Sequence, residues 1–189
     1  MDSKNKKKTK LFRIDFKWVI SITFFSFLIS MLLSYASSEA IQHVNNLIAF
    51  IILLAVVILG IVFDIIGVAA TSGDEKQFHS MAAKKVSGAK EAVWLVQNAE
   101  KVASFCNDVV GDIAGIISGA TGAIIVARII VAGTPQGTVI QLVITGLISA
   151  LTIGGKAMGK GFGISYSGKI LFAVGKILHV FPWFPGNKK

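Results

Sequence analysis

Charge is scarce in this sequence, and acid is the scarcest charge of all. Only 15% of residues are charged, against about a quarter in an ordinary soluble domain. No Asp or Glu follows Asp112. There is a single cysteine, Cys106, which excludes an internal disulfide, and no Cys/His cluster has the spacing of a zinc site. No phosphate-cradling loop occurs, no nucleophile is paired with a base, and His79 and His179 are isolated, so the sequence points away from an enzyme. What the chain has instead is apolar surface. Apolar residues make up 53% of it, mean hydropathy is +0.71, and they come in long runs. The expectation is an all-α integral membrane protein with four transmembrane helices and a cytoplasmic belt of amphipathic helices.

Residues 1–17 form a basic tail, with Lys4, Lys6, Lys7, Lys8, Lys10, Arg13 and Lys17. It reads as an anchor at an anionic leaflet. No aromatic residue interleaves the first ten positions, which argues against nucleic acid. Trp18 to Ala36 is the first apolar span, long enough for the roughly 20 residues a bilayer needs. Ala36-Ser37-Ser38 resembles a signal-peptidase site, but the apolar run exceeds the roughly 7–15 residues of a signal peptide. Ser37 to Asn46 reads as a short polar loop, with His43 a solvated loop residue.

Leu47 to Ala70 is the second span. Gly60, Asp64, Gly67 and Thr71 share one helical stripe along it. Asp64 is either hydrated at the headgroup level or functional. Small neighbours favour function because they admit another helix. From Ser72 to Ser104 the apolar positions Phe78, Ala82, Val86, Ala89, Val93 and Val96 recur at amphipathic spacing, with lysines and glutamates between them. Ser72-Gly73-Asp74 offers a helix start and Ser87-Gly88 a break. Helices lying on the cytoplasmic membrane face are expected over 74–105, with a packed cytosolic hairpin as the rival.

The third span, Cys106 to Val131, carries the central motif. Asp108, Asp112, Gly115, Gly119 and Gly122 fall on one narrow stripe, with Gly111 at its edge. Carboxylates at membrane depth are costly and usually functional. Arg128 lies on the opposite face and is expected to snorkel to the outer interface or pair with Glu39. Gly133 to Gly137 reads as a turn. The fourth span, Thr138 to Met158, has a hydroxyl stripe of Thr145, Ser149 and Thr152, suited to helix packing and back-bonding to its own carbonyls as much as to ligand duty. Residues 161–189 form a second basic amphipathic segment ending near Phe-Pro-Trp-Phe-Pro. Positive charge sits at both ends and in the middle, and the two short loops have none. Both termini are therefore expected in the cytoplasm, with the chain in the plasma membrane.

Oxygen donors on facing helices suit a hard cation. Magnesium keeps several waters and takes one or two carboxylates. Asp64, Asp108 and Asp112 would lie in the cytoplasmic half, with Ser118 and Thr145 extending the path as further metal-ligating oxygens. A proton relay would use the same acids. A non-transporting membrane scaffold, in which the glycine stripe packs helices, is the alternative.

The stretch from Val62 to about Lys160 resembles the membrane domain of the CorC/CorB and cyclin-M magnesium transporter family. Phe63-Asp64-Ile65-Ile66-Gly67-Val68-Ala69 stands where that family has Phe-Ser-x-x-Glu-Thr-Ala, with Asp64 at its Ser and Gly67 at its Glu. Met81-Ala82-Ala83 through Ala99-Glu100-Lys101-Val102 is similar to its juxtamembrane helix pair. Asn107-Asp108-Val109-Val110-Gly111-Asp112 matches its Gly-Asn-x-x-x-Asn element, with both Asn replaced by Asp. Gly154-Gly155-Lys156-Ala157-Met158-Gly159-Lys160 sits at its Gly-Glu-x-x-Pro-Lys element, without the Glu and Pro. The resemblance implies a transporter-like membrane domain over 47–160, a homodimer, Mg2+ or Co2+ as cargo, and the 18–36 helix as an addition. It implies no regulatory CBS domains within these 189 residues.

Overall fold

In a computed structural model, residues 16–129 and 135–181 are described. Among them the chain is helical, with no strand, and four helices are long and apolar enough to cross a membrane: Val19–Glu39, Asn46–Ser72, Ala99–Arg128 and Gly137–Ser165. The lysine-rich tail, the end of the third span at Val131, the start of the turn at Gly133-Thr134 and most of the Phe-Pro-Trp-Phe-Pro segment lie outside the described residues.

Helix α1 (Phe16–Gln42) runs well past the expected end of the first span and takes in most of the expected loop. Nothing in Ser37 to Gln42 breaks a helix: there is no Gly or Pro there. Helix α2 (Asn46–Ser72) starts where the Asn45 side chain accepts the Ile48 N–H at 2.9 Å, satisfying one of the orphan donors of a first turn. Its 27 residues span about 40 Å at 1.5 Å per residue. It is the hub of the fold, in contact with nearly every element that follows it.

After α2 come α3 (Glu75–Ala83), capped by Asp74, then α4 (Ala89–Gln97) and α5 (Ala99–Ala103). Gly88 sits at φ 86°, in the left-handed region that glycine reaches without strain, and turns the chain from α3 into α4. The expected break at Ser87-Gly88 is therefore found. A π-helical segment, Ser104–Gly111, then leads into α6 (Asp112–Ile129). Helix α7 (Pro135–Ser165) begins at Pro135, where a missing N–H costs nothing, so Pro135 opens a helix instead of sitting inside a turn. It continues through Lys156 and Lys160, beyond the expected end at Met158. Helix α8 (Ser167–His179) completes the described chain.

Three apolar clusters hold these helices. Ile41, Ala49, Leu53, Val57 and Ile125 join α1, α2 and α6 at one end. Val109, Ile113 and Ile117 meet Ile22 and Ile29 of α1 and Val56 of α2. Ala69, Ala70, Phe78, Ala92, Leu95 and Leu171 join α2 to α3, α4 and α8 at the other end. The C-terminal segment is thus docked on α4 and α2. Gly175 lies so close to Gly88 that a Cβ there would collide with the Gly88 carbonyl.

Helix α7 packs on α2 through glycines four apart. A Cβ on Gly155 or Gly159 would strike Ile61 or Ile65, and one on Gly163 would come within 3.0 Å of the Ile65 carbonyl oxygen. Small residues at this spacing let two backbones approach closely.

Candidate functional site

The expected α2 stripe is real along most of its length. Gly60, Asp64 and Gly67 are all buried, facing the π-helical segment and the start of α6. A Cβ on Gly60 would meet Ala114 at 2.9 Å, and one on Gly67 would overlap the Asn107 amide. Thr71 leaves the stripe; it is exposed and its hydroxyl donates to Val68 O at 2.9 Å.

Asp64 therefore sits between two close helix contacts and is only 4% exposed. Its Oδ2 is buried without a hydrogen-bond partner, and so is Oδ1 of Asn107. Buried polar atoms are nearly always satisfied, and an unpaired buried carboxylate costs several kcal/mol. Two acceptors left without a donor on facing elements mark a place short of positive charge. A cation reaches this helix pair from α7: Lys156 Nζ donates to the Gly111 carbonyl oxygen at 3.2 Å.

Most of the third-span stripe does share one face, and that face points outward; only Gly111 at its edge and Gly122 at its end are buried. Gly111 turns inward, onto Lys156, and Gly122 onto Ile148. Asp108 and Asp112 turn outward and are exposed. Asp108 accepts from Ser104 Oγ at 2.6 Å. Gly115 and Gly119 have nothing within 4 Å of a would-be Cβ. Asp64 and the pair Asp108 and Asp112 are not brought together: among the described residues, no three His, Cys, Asp or Glu side chains form a group able to hold a metal ion.

Ser118 is 2% exposed and its hydroxyl donates to Gly115 O of its own helix at 3.0 Å. Thr145 is exposed on α7. Thr152 back-bonds to Ile148 O at 2.9 Å. Arg128 does not pair with Glu39. It donates to Val44 O at 2.9 Å and to Ile41 O, tying α6 to the α1–α2 connection. Glu39 pairs instead with exposed His43 at 3.1 Å.

Sequence reasoning passed over Asn107, whose amide lies against Gly67, and Lys156, which reaches Gly111. It also passed over Glu91, which is 1% exposed on α4 and reached by His179 Nδ1 at 2.8 Å. The spacing of Gly155, Gly159 and Gly163 was the available signal that the Lys156 region belongs to a packed helix. On α3, Gln97 and His79 donate to Glu75 Oε1 at 2.7 and 2.9 Å, and these bonds, Gln97 first, hold its carboxyl below the ordinary value. No protein-family model, curated protein or solved structure matches this chain.

Proposed function

We propose that this is an integral membrane protein that binds a cation at Asp64 and carries it across the bilayer, with Mg2+ as the favoured cargo and Co2+ as a second. The observation that carries the reading is the buried, partnerless Oδ2 of Asp64 inside a helix long and apolar enough to span. The outward faces of α1, α2 and α7 support insertion: Phe24, Phe50, Leu54, Leu142 and Leu147 are all exposed, as lipid-facing residues are.

In this proposal Asp64 supplies the charged ligand, with Asn107 Oδ1 and the Gly111 carbonyl as neutral oxygens. Magnesium's preference for retained water fits a site with one carboxylate. Lys156 is the tethered cation that partly neutralises the site between loadings. Asp108 and Asp112 are outward carboxylates on the approach side, and the hydroxyls of Ser118 and Thr145 extend the path. Both termini lie in the plasma-membrane cytoplasm, α3, α4 and α8 form the cytoplasmic belt, and the basic tails meet anionic lipid. A second copy closes over the open Gly115 and Gly119 face, making a homodimer.

The test is Mg2+ uptake by liposomes holding the purified protein and an internal fluorescent indicator. Uptake that vanishes in Asp64→Asn while the variant remains folded and inserted supports the reading. Uptake unchanged in that variant, or absent from the unaltered protein, defeats it. In the latter case the scaffold reading stands in its place.

A further inference from the structure

Lys101, at the start of α5's continuation into the third span, lines two separate apolar recesses. One is a cavity of about 510 Å³ between α2, α4 and α8, walled by Phe63, Ile66, Val102, Val174 and Leu178. Its volume lies in the range of small-molecule sites, roughly 300–1,000 Å³. The other is a groove of about 270 Å³ between α1 and the π-helical segment, walled by Ile22, Phe25, Ile29 and Val109. Phe105 borders both and forms their shared wall. Lys101 is the one charged residue lining either; the larger cavity is walled by carbon throughout, so there the lysine presents its stem, and it makes no ion pair among the described residues.

A third, polar recess adjoins them, formed by Gln97, Asn98, Glu100 and Lys101. Glu100 works against an anion there, the Gln97 and Asn98 amides already donate to Glu75 and to Trp94 O, and the ammonium is the group that works for it. Two apolar channels that share the Lys101 side chain, beside a polar recess on the same residue, match one class of molecule. It has two hydrocarbon chains and one anionic headgroup. A single-chain amphiphile would fill one recess and leave the other open.

We infer that Lys101 anchors the phosphate of one anionic two-chain phospholipid, whose acyl chains occupy the cavity behind Val102 and the groove along α1. The site rests on the proposal that these helices span a bilayer: Lys101 then lies at headgroup level and both recesses lead toward the hydrocarbon. It is separate from the Asp64 site and needs no cation. Its occupation would join α1, otherwise packed chiefly on α6, to the α4–α8 layer.

Trp94 borders the cavity and gives a direct readout. In a Trp18→Phe, Trp183→Phe background, Trp94 is the remaining tryptophan. The protein is reconstituted in phosphatidylcholine vesicles, and brominated-chain phosphatidylglycerol or brominated-chain phosphatidylcholine is added in steps. Phosphatidylglycerol is expected to reach half-maximal quenching at about tenfold lower mole fraction. Lys101→Met is expected to abolish that preference and Lys101→Arg to keep it. Equal quenching by the two lipids, or a preference that survives Lys101→Met, overturns the site. Carbonate extraction of the same vesicles separates the two proposals. Protein that stays inserted but shows equal quenching sinks the lipid site alone, and protein that is released sinks the bilayer reading with it.

Discussion

Lys156 Nζ lies 3.2 Å from the carbonyl oxygen of Gly111, so a cation from α7 reaches the helix that faces buried Asp64. Like charges in a site of reduced dielectric repel by several kcal/mol at close range. If Lys156 competes with an incoming cation, removing its charge strengthens binding. Lys156→Met is expected to lower the apparent Mg2+ dissociation constant about tenfold, roughly 1.4 kcal/mol. Mg2+-dependent thermal unfolding in detergent measures this. Weaker binding in Lys156→Met would assign the lysine a supporting role instead.

The glycines divide by what surrounds them. A side chain at Gly67 meets Asn107, and one at Gly163 meets the backbone of α2. Gly67→Val and Gly163→Val are expected to lower the melting temperature clearly, by overpacking of about 1–3 kcal/mol. Gly161 and Gly154 open onto empty space. Alanine there is expected to be neutral or stabilising by up to about 1 kcal/mol, the helix-propensity gain. Melting curves of the four variants, in one detergent, check the contrast.

How much of this was legible in the residues differs from element to element. The four apolar runs were plain, because bilayer-length hydrophobicity needs no tertiary context. The glycine turn at Gly88 was plain for a similar local reason. The outward facing of Asp108 and Asp112 was not: helical phase says which residues share a face, and not whether that face meets another helix or the surroundings. The role of Arg128 was hidden because its acceptors are backbone carbonyls of Ile41 and Val44, which no side-chain pairing rule can find. The continuation of α7 past Met158 was legible in Gly155, Gly159 and Gly163, and the nearby lysines masked it.

His179 holds α8 on α4 through Glu91, a carboxylate almost fully enclosed. Among the described residues, His179 is the side chain that donates to it. His179→Ala is expected to destabilise the α4–α8 layer by about 2 kcal/mol. Glu91→Gln keeps a hydrogen-bonding group and is expected to cost less. Hydrogen exchange over 167–179 reads the loss locally, and equal protection in all three proteins would contradict it.

Glu75 gives a pH dependence whose sign can be worked out. Its folded carboxyl sits below the ordinary value of 4.5, because Gln97 and His79 donate to it. A depressed folded value means stabilisation that is present above the unfolded value and lost as pH falls through the folded one. The contact between α3 and the end of α4 is therefore expected to loosen below about pH 4, near and under the reference glutamate value. Glu75→Gln should remove the pH dependence. Limited proteolysis of the α3–α4 connection between pH 3 and pH 6, at about unit steps, follows it.

Asp64 carries the central claim, and magnesium-dependent thermal unfolding of the purified protein tests it most directly. Mg2+ at about a hundredfold excess over its dissociation constant adds about 2.7 kcal/mol of stability, a shift of several degrees. The expected result has three parts: a shift in the unaltered protein, a retained shift in Asp108→Asn and Asp112→Asn, and no shift in Asp64→Asn. A full Mg2+ shift in Asp64→Asn would contradict the account.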